Sequence, residues 1–494
     1  MARGAVIQRM RRGGALVVVL ALGLGACGDD GVAGSESEGA TSSATTGATT
    51  DSATTDATSG TAGESEAGEL DILDKLAAID GMRVVERFET NADGRFFELY
   101  YRLPIDHDDP GVGDFELFMT LTHRSEAAPT VLLTTGYRNY YYDFEGELSA
   151  LVGGNQLSVE KRYTGISKPD ADWRYLDAAQ VAADGHAIVD ALRPIYAGPW
   201  LRTGASLGGE DAVYHHYFYP EDFDGVVAYV APFVLGLADA RFVDHFASAV
   251  PQACQAELEA LQAAMLGPRR GELVAGLADV LDEAELTRVG GYDRALQTLA
   301  LEMPWSVWQS IGAAVCADVP AGDDPEVTSA ALLTYLADII PLTAVTDASL
   351  RGFEAYSYQA FTQLGRPAVP LDHLAGLVDP DYVDLETGAP PPGVALPFDA
   401  ALLPAVHAWV ASDAERLVFV YGDYDPWGAG RIDVSANPAV ASYHDPTGTH
   451  GTQIADLAAA DEAAVKATIE AWIDGPLAGR PIDRSREPRV RVPR

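Results

Sequence analysis

Trp200-Leu201-Arg202-Thr203-Gly204-Ala205-Ser206-Leu207-Gly208-Gly209 passes from a strand into a helix around a single serine. Its first residues are strand-like, and the run from Leu207 to Tyr219 suits a helix closed by Pro220. Gly204-x-Ser206-x-Gly208 is the pattern of a sharp strand-to-helix turn. The glycines let neighbouring elements come close, the serine backbone is held strained, and its Oγ is pushed into a cleft. The same turn leaves the Leu207 amide free to face a developing oxyanion. The spacing alone is weak, because glycine and serine are common. A glycine-rich helix start with an ordinary serine is the competing explanation; the position between strand and helix favours the nucleophile.

Around this turn the chain alternates strands and helices. Val84 to Thr90 and Arg95 to Arg102 flank Asn91-Ala92-Asp93-Gly94, a hairpin signal. Phe115 to Thr122 and Thr130 to Thr135 are further strands, the latter almost wholly apolar and so expected at the centre of a sheet covered on both faces. Asp177 to Leu192 has helical spacing, and Val226 to Val230 is another strand. From Gly236 to Asp399 strand signals vanish and Ala- and Leu-rich helical periodicity takes over. A last strand, Leu417 to Tyr421, precedes loops and a helix from about Asp461 to Ile473. The expected fold class is α/β, a mostly parallel sheet interrupted by a helical cap. The expected parts are core residues 70–235, cap 236–399, core 400–480 and a basic tail 481–494.

A serine nucleophile needs a base, and the base an orienting acid. The strand ending at Tyr421 runs into Gly422-Asp423-Tyr424-Asp425-Pro426-Trp427 at the sheet's carboxyl edge, where ligands bind in open α/β sheets. Asp425 is preferred to Asp423 because Pro426 holds it extended and Trp427 can dry the site. Gly448-Thr449-His450-Gly451 places His450 in a tight loop; His444 is its rival. His450 would take the Ser206 proton through one ring nitrogen and donate to Asp425 through the other. The second oxyanion amide is assigned to Tyr137, in the loop after the central strand.

The 494 residues hold 33 Lys plus Arg against 73 Asp plus Glu, a net charge of −40. That balance opposes a nucleic-acid surface, which needs clustered positive charge. Arg3, Arg9, Arg11 and Arg12 precede the apolar stretch Gly13 to Ala26, too short for a spanning helix but suited to a secretory leader. Leu24-Gly25-Ala26-Cys27 resembles the bacterial lipobox, which implies lipidation of Cys27 and an extracytoplasmic, membrane-anchored protein. A cleaved leader and secretion is the alternative. Residues 28–69 are Ser, Thr, Ala, Gly and acid, a composition expected to form a tether. Cys254 and Cys316 then make an even pair, a plausible disulfide in an exported protein or else two free thiols.

Several longer runs carry a resemblance. Gly154-Asn155-Gln156-Leu157-Ser158-Val159-Glu160-Lys161-Arg162-Tyr163, Ala171-Asp172-Trp173 and Leu192-Arg193-Pro194-Ile195-Tyr196 resemble the secreted bacterial prolyl tri/tetrapeptidyl aminopeptidases. So do the serine turn, the run Phe218 to Pro232, and Tyr421-Gly422-x-x-Asp425-Pro426-Trp427-Gly428-Ala429. A weaker likeness reaches the lysosomal prolyl carboxypeptidase group. The resemblance spans roughly Leu70 to Ile473. It implies an α/β-hydrolase core with an inserted helical cap, and a serine peptidase that releases short peptides from free N-termini, often after Pro. Carried over, the triad falls on Ser206, Asp425 and His450.

Two departures stand out. The family's serine turn usually carries Lys where this chain has Leu207, and an apolar residue where it has Glu210. Glu210 could bind a peptide's ammonium group or simply suit the helix dipole. Glu160 and Arg162, read as sharing a strand face, form either a structural ion pair or a substrate clamp. No metal constellation or phosphate loop is apparent, and no cofactor is expected. The expected partners are short peptides; an esterase or amidase of the same fold, and a catalytically silent binding lipoprotein, are the rival functions.

Overall fold

The computed structural model describes residues 70–88, 93–379 and 388–480. The leader, Cys27, the tether, the 481–494 tail and part of the hairpin turn lie outside the described residues. Nine strands form one sheet: β1 (Met82–Arg87), β2 (Arg95–Pro104), β3 (Asp114–His123), β4 (Thr130–Thr134), β5 (Asn155–Val159), β6 (Trp200–Ala205), β7 (Gly225–Tyr229), β8 (Leu417–Gly422) and β9 (Val440–Asp445). Their order is β1-β2-β3-β5-β4-β6-β7-β8-β9. β1, β2, β3 and β5 pair antiparallel; every later pair is parallel.

The apolar β4 lies between β5 and β6, as its composition requires. Alternate residues feed opposite faces. Val131, Leu201, Val227, Val418 and Val420 join one hydrophobic cluster, while Leu132, Trp200, Val226, Leu417 and Phe419 join the other. Helices α1 (Ile72–Ala77), α2 (Glu147–Val152), α3 (Ala178–Leu192) and α4 (Leu207–Phe218) belong to this first part. Asp177 caps α3, its carboxylate accepting the Gln180 amide at 2.8 Å.

Between β7 and β8 come α5 (Arg241–Ser248), α6 (Gln252–Leu266), α7 (Arg270–Ala278), α8 (Tyr292–Ser306), α9 (Ser329–Ile339), α10 (Asp347–Arg351) and α11 (Glu354–Gln359). These helices build a hydrophobic cluster of their own, which also takes in Val234 and Trp427 from the core. The chain leaves and returns through a neck: Arg366 N–H donates to Gly236 O at 2.8 Å and Asp239 N–H to Arg366 O at 3.1 Å. A disulfide joins Cys254 on α6 to Cys316. α12 (Leu402–Ser412) leads into β8, and α13 (Ala459–Trp472) follows β9; the two pack on opposite faces of the sheet. Among the described residues no helix is long and apolar enough to cross a membrane.

The structure corrects one element of the sequence analysis. Leu417–Gly422 is not the last strand, because Val440–Asp445 pairs with it as β9. β9 is an edge strand with one buried residue and five half-buried ones, so it carries little apolar signal.

β4 runs to β5 on one side, and β6 returns on the other. The loops after β4 and β6 therefore diverge at their carboxyl ends and open a crevice between them. Tyr137 and Ser206 stand at its two lips.

Candidate active site

Ser206 caps α4 with φ 57° and ψ −129°, a backbone state that non-glycine residues adopt only when their surroundings enforce it. The enforcement is visible. Ser206 N–H donates to Tyr229 O at 2.9 Å, and Ser206 O accepts from the amides of Gly209 and Glu210 at 2.8 and 3.0 Å. A Cβ on Gly204 would lie 2.2 Å from Gly208 O, and one on Gly208 would lie 2.2 Å from Thr134 O. β4, β6 and the start of α4 thus touch backbone to backbone, which only glycine permits.

Leu207 is the first residue of α4, so its amide has no acceptor within the helix. The facing loop comes equally close. Gly136 has φ 77°, and a Cβ there would sit 2.6 Å from Gly208 N. Next to it, Tyr137 N–H donates to Thr135 Oγ1 at 3.2 Å, so this amide is satisfied within its own turn in the resting site.

Asp425 and His450 meet at the end of β8. Asp425 caps the turn Pro426–Gly430, its Oδ1 accepting from Trp427 N–H at 3.2 Å. Its Oδ2 lies 2.6 Å from His450 Nδ1, and both side chains are buried. A carboxylate can only accept, so Nδ1 carries the proton and Nε2 is left as the basic nitrogen. A Cβ on Gly422 would lie 2.3 Å from the Gly448 carbonyl carbon, which shows how tightly the histidine loop sits on the strand end. The His450 backbone amide donates to Gln309 O in the cap at 2.8 Å. Among the described residues, Ser206 Oγ and His450 Nε2 are not joined by a hydrogen bond.

The rivals are engaged elsewhere. Asp423 accepts from Arg431 at 2.6 Å and lies 3.2 Å from His444 Nδ1; His444 stacks on Tyr421. The His444 hydrogen bond, with Arg431, holds the Asp423 carboxyl below its ordinary range.

A cleft opens at Ser206. Tyr137, Leu207 and Glu210 line its core side with Pro232 and Val234, and the cap and neck add Tyr356, Leu364 and Gly365. Trp427 lines it too, while packing edge-on against Trp305 of the cap at 5.0 Å. Among the described residues Glu210 is the one carboxylate lining the cleft, placed a single helical turn beyond Ser206 and buried.

Glu160 and Arg162 do not pair with each other, and neither lines the cleft. They follow β5 rather than lying in it. Glu160 accepts the amides of Asn139, Ile166 and Ser167, each at 2.9 Å, which pins the loop beyond Tyr137. Arg162 binds Asp184 bidentately at 2.7 and 2.6 Å and caps the carbonyls of Ile105 and Tyr175. Both are framework residues, contrary to the ion pair or clamp expected from sequence. Tyr356, Leu364 and Gln309 went unread because nothing local links a cap residue to a site on the core. The neighbouring Lys161 bonds Asp211 of α4 at 2.9 Å, with both side chains buried.

The model of the PS-10 peptidase S37 family matches residues 65–483. Prolyl tri/tetrapeptidyl aminopeptidase of Streptomyces mobaraensis is 36% identical over 412 residues, covering 82% of this chain and 85% of that protein. Among solved structures, a proline iminopeptidase of Mycobacterium smegmatis aligns with a TM-score of 0.40 at 15% identity, covering 76% of this chain and 99% of that one. A proline iminopeptidase-related protein of Thermus thermophilus aligns with a TM-score of 0.34 at 15% identity, covering 76% and 99%. The serine-bearing strand-to-helix turn, the mostly parallel sheet and the match along 65–483 agree: this chain belongs to the PS-10 peptidase S37 family and is a serine peptidase on an α/β-hydrolase core.

Proposed function

We propose that the protein releases short peptides, of three or four residues, from free N-termini with a preference for Pro before the scissile bond. The catalytic groups are Ser206, His450 and Asp425. His450 Nε2 takes the proton from Ser206 Oγ as it attacks the scissile carbonyl. The tetrahedral oxyanion is met by the Leu207 amide and by the Tyr137 amide, which exchanges its Thr135 hydroxyl for the stronger acceptor. His450 then protonates the leaving amine, and water repeats the cycle on the acyl-enzyme. The observation that carries this reading is the buried Asp425–His450 pair at 2.6 Å, at the same sheet edge as the strained serine. Substrate closes the remaining gap between Ser206 and His450, as catalytic hydrogen bonds commonly tighten on binding. The similarity to the Streptomyces aminopeptidase supports the substrate class, and the half-enclosed cleft suits an unfolded chain end.

The protein acts outside the cytoplasm, held to the membrane by a lipid on Cys27. Metabolic labelling with a fatty-acid probe tests this; a Cys27→Ala protein that still takes up the label overturns it.

Ser206→Ala, assayed on a tripeptidyl anilide ending in Pro, is expected to lose about 10³-fold or more in kcat. Undiminished turnover would sink the mechanism. Preference for a p-nitrophenyl ester, or for an N-blocked anilide, would replace the aminopeptidase reading with an esterase or amidase.

A further inference from the structure

The catalytic pair touches the cap as well as the core. Residues Val307–Ile311 form one π-helical turn at the end of α8, and Gly312–Asp318 continue it as a 3-10 segment. Gln309 O accepts the His450 backbone amide at 2.8 Å. A Cβ on Gly312 would lie 3.3 Å from Thr449 Cγ2, so the cap backbone also touches the residue before His450. The Trp308 ring meets Tyr424, the residue before Asp425, edge-on at 5.7 Å. Each member of the pair is therefore contacted directly or through its sequence neighbour.

This turn is stapled to α6 at two points. The buried Trp308 indole N–H donates to Gln255 Oε1 at 2.7 Å, and next to Gln255 the Cys254–Cys316 bridge ties down the 3-10 segment. That segment is half-buried to exposed beyond Gly312, with few apolar contacts to hold it. π-Helical turns break the regular hydrogen-bond register and occur often at functional sites.

We propose that Trp308, Gln255 and the Cys254–Cys316 bridge are positioning residues for His450. By fixing the 307–312 turn they hold the imidazole loop from the cap side, where Asp425 holds it from the core. The proposal rests on His450 being the general base. It adds that the base is in register only while the cap is stapled, so that activity depends on the disulfide.

The test uses the full-length protein, oxidised and after dithiothreitol. The reductant supplies two electrons and two protons, leaving two thiols and itself a cyclic disulfide. A Cys254→Ser/Cys316→Ser protein and Trp308→Phe, which keeps the ring but removes the N–H, are measured alongside below their melting temperatures. The readouts are kcat and KM on the prolyl tripeptide anilide and the rate of Ser206 labelling by a fluorophosphonate. Reduction, the double serine variant and Trp308→Phe are each expected to lower kcat and the labelling rate together by about tenfold, with KM within about twofold. Reoxidation is expected to restore the wild type and not the double variant. Unchanged labelling, with or without a rise in KM, overturns the proposal while leaving the catalytic assignment intact. A wild-type Ser206 that takes no label overturns the assignment itself.

Discussion

The Asp425 carboxylate lies 2.6 Å from His450 Nδ1, with its other oxygen held by the Trp427 amide. One oxygen of the carboxylate thus orients the imidazole while the other is fixed by the turn that follows. Asp425→Asn keeps the shape but offers an amide that favours the wrong tautomer. Its kcat is expected to fall roughly 10³–10⁴-fold with KM little changed. Steady-state kinetics on the prolyl anilide check this; a loss below about tenfold would remove Asp425 from the mechanism.

Glu210 puts a carboxyl group into a cleft whose other side chains are mostly apolar or aromatic. If the carboxylate receives the substrate's ammonium, Glu210→Gln lowers kcat/KM for free-N-terminus peptides by about tenfold. N-acetylated analogues are expected to change little. Equal effects on both series would leave Glu210 as a charge that suits the start of α4.

Lys161 and Asp211 form an ion pair whose side chains are 1% and 2% exposed, linking the loop after β5 to α4. Burial raises the Asp211 pKa, and it pushes the nearby Arg202 down to about 10. Lys161→Met leaves a buried carboxylate without its cation and is expected to cost roughly 3–5 kcal/mol. Lys161→Met/Asp211→Leu is expected to recover only part of that loss, because Arg202 then stays buried without the carboxylate that favours its charge. Urea melts of both proteins decide it; a single variant as stable as the wild type contradicts the burial argument.

Stability should fall in mild acid because of His215. Burial pushes its pKa down to about 4, although Asp222 accepts from it at 2.8 Å. Below about pH 6.5 the unfolded chain binds a proton at this site that the folded chain refuses until about pH 4. Unfolding therefore takes up a proton in that window, and stability declines as pH falls through it. The decline from this residue amounts to roughly 3 kcal/mol in full and about 2 kcal/mol by pH 5, and His215→Gln is expected to lack it. Denaturant melts at pH 7.5 and 5 test the difference; equal slopes for the two proteins refute it.

The strand-to-helix turn, the central β4 and the aspartate–histidine pair were legible because each rests on local rules. A Cβ at position 204 or 208 would lie 2.2 Å from a backbone oxygen, so the turn admits only glycine at both. A strand covered on both faces is apolar at its centre, and Val131, Leu132 and Leu133 are. The edge strand β9 was hidden because it pairs with β8 alone and buries little, so its residues look like loop.

By itself the sequence determined that a serine turn, a carboxylate and a histidine occur in the order a serine hydrolase could use, and that a helical block interrupts a parallel sheet. Only the tertiary structure decided their company. Glu160 and Arg162 stand two apart in sequence, yet one braces backbone amides and the other binds Asp184. Lys161 finds Asp211 fifty residues away, and His450 leans on a carbonyl of Gln309 in the cap. A backbone carbonyl is common to every residue type, and a buried charge takes whichever opposite charge packing brings near. Neither choice leaves a mark on the local pattern; both are settled when sheet and cap close on each other.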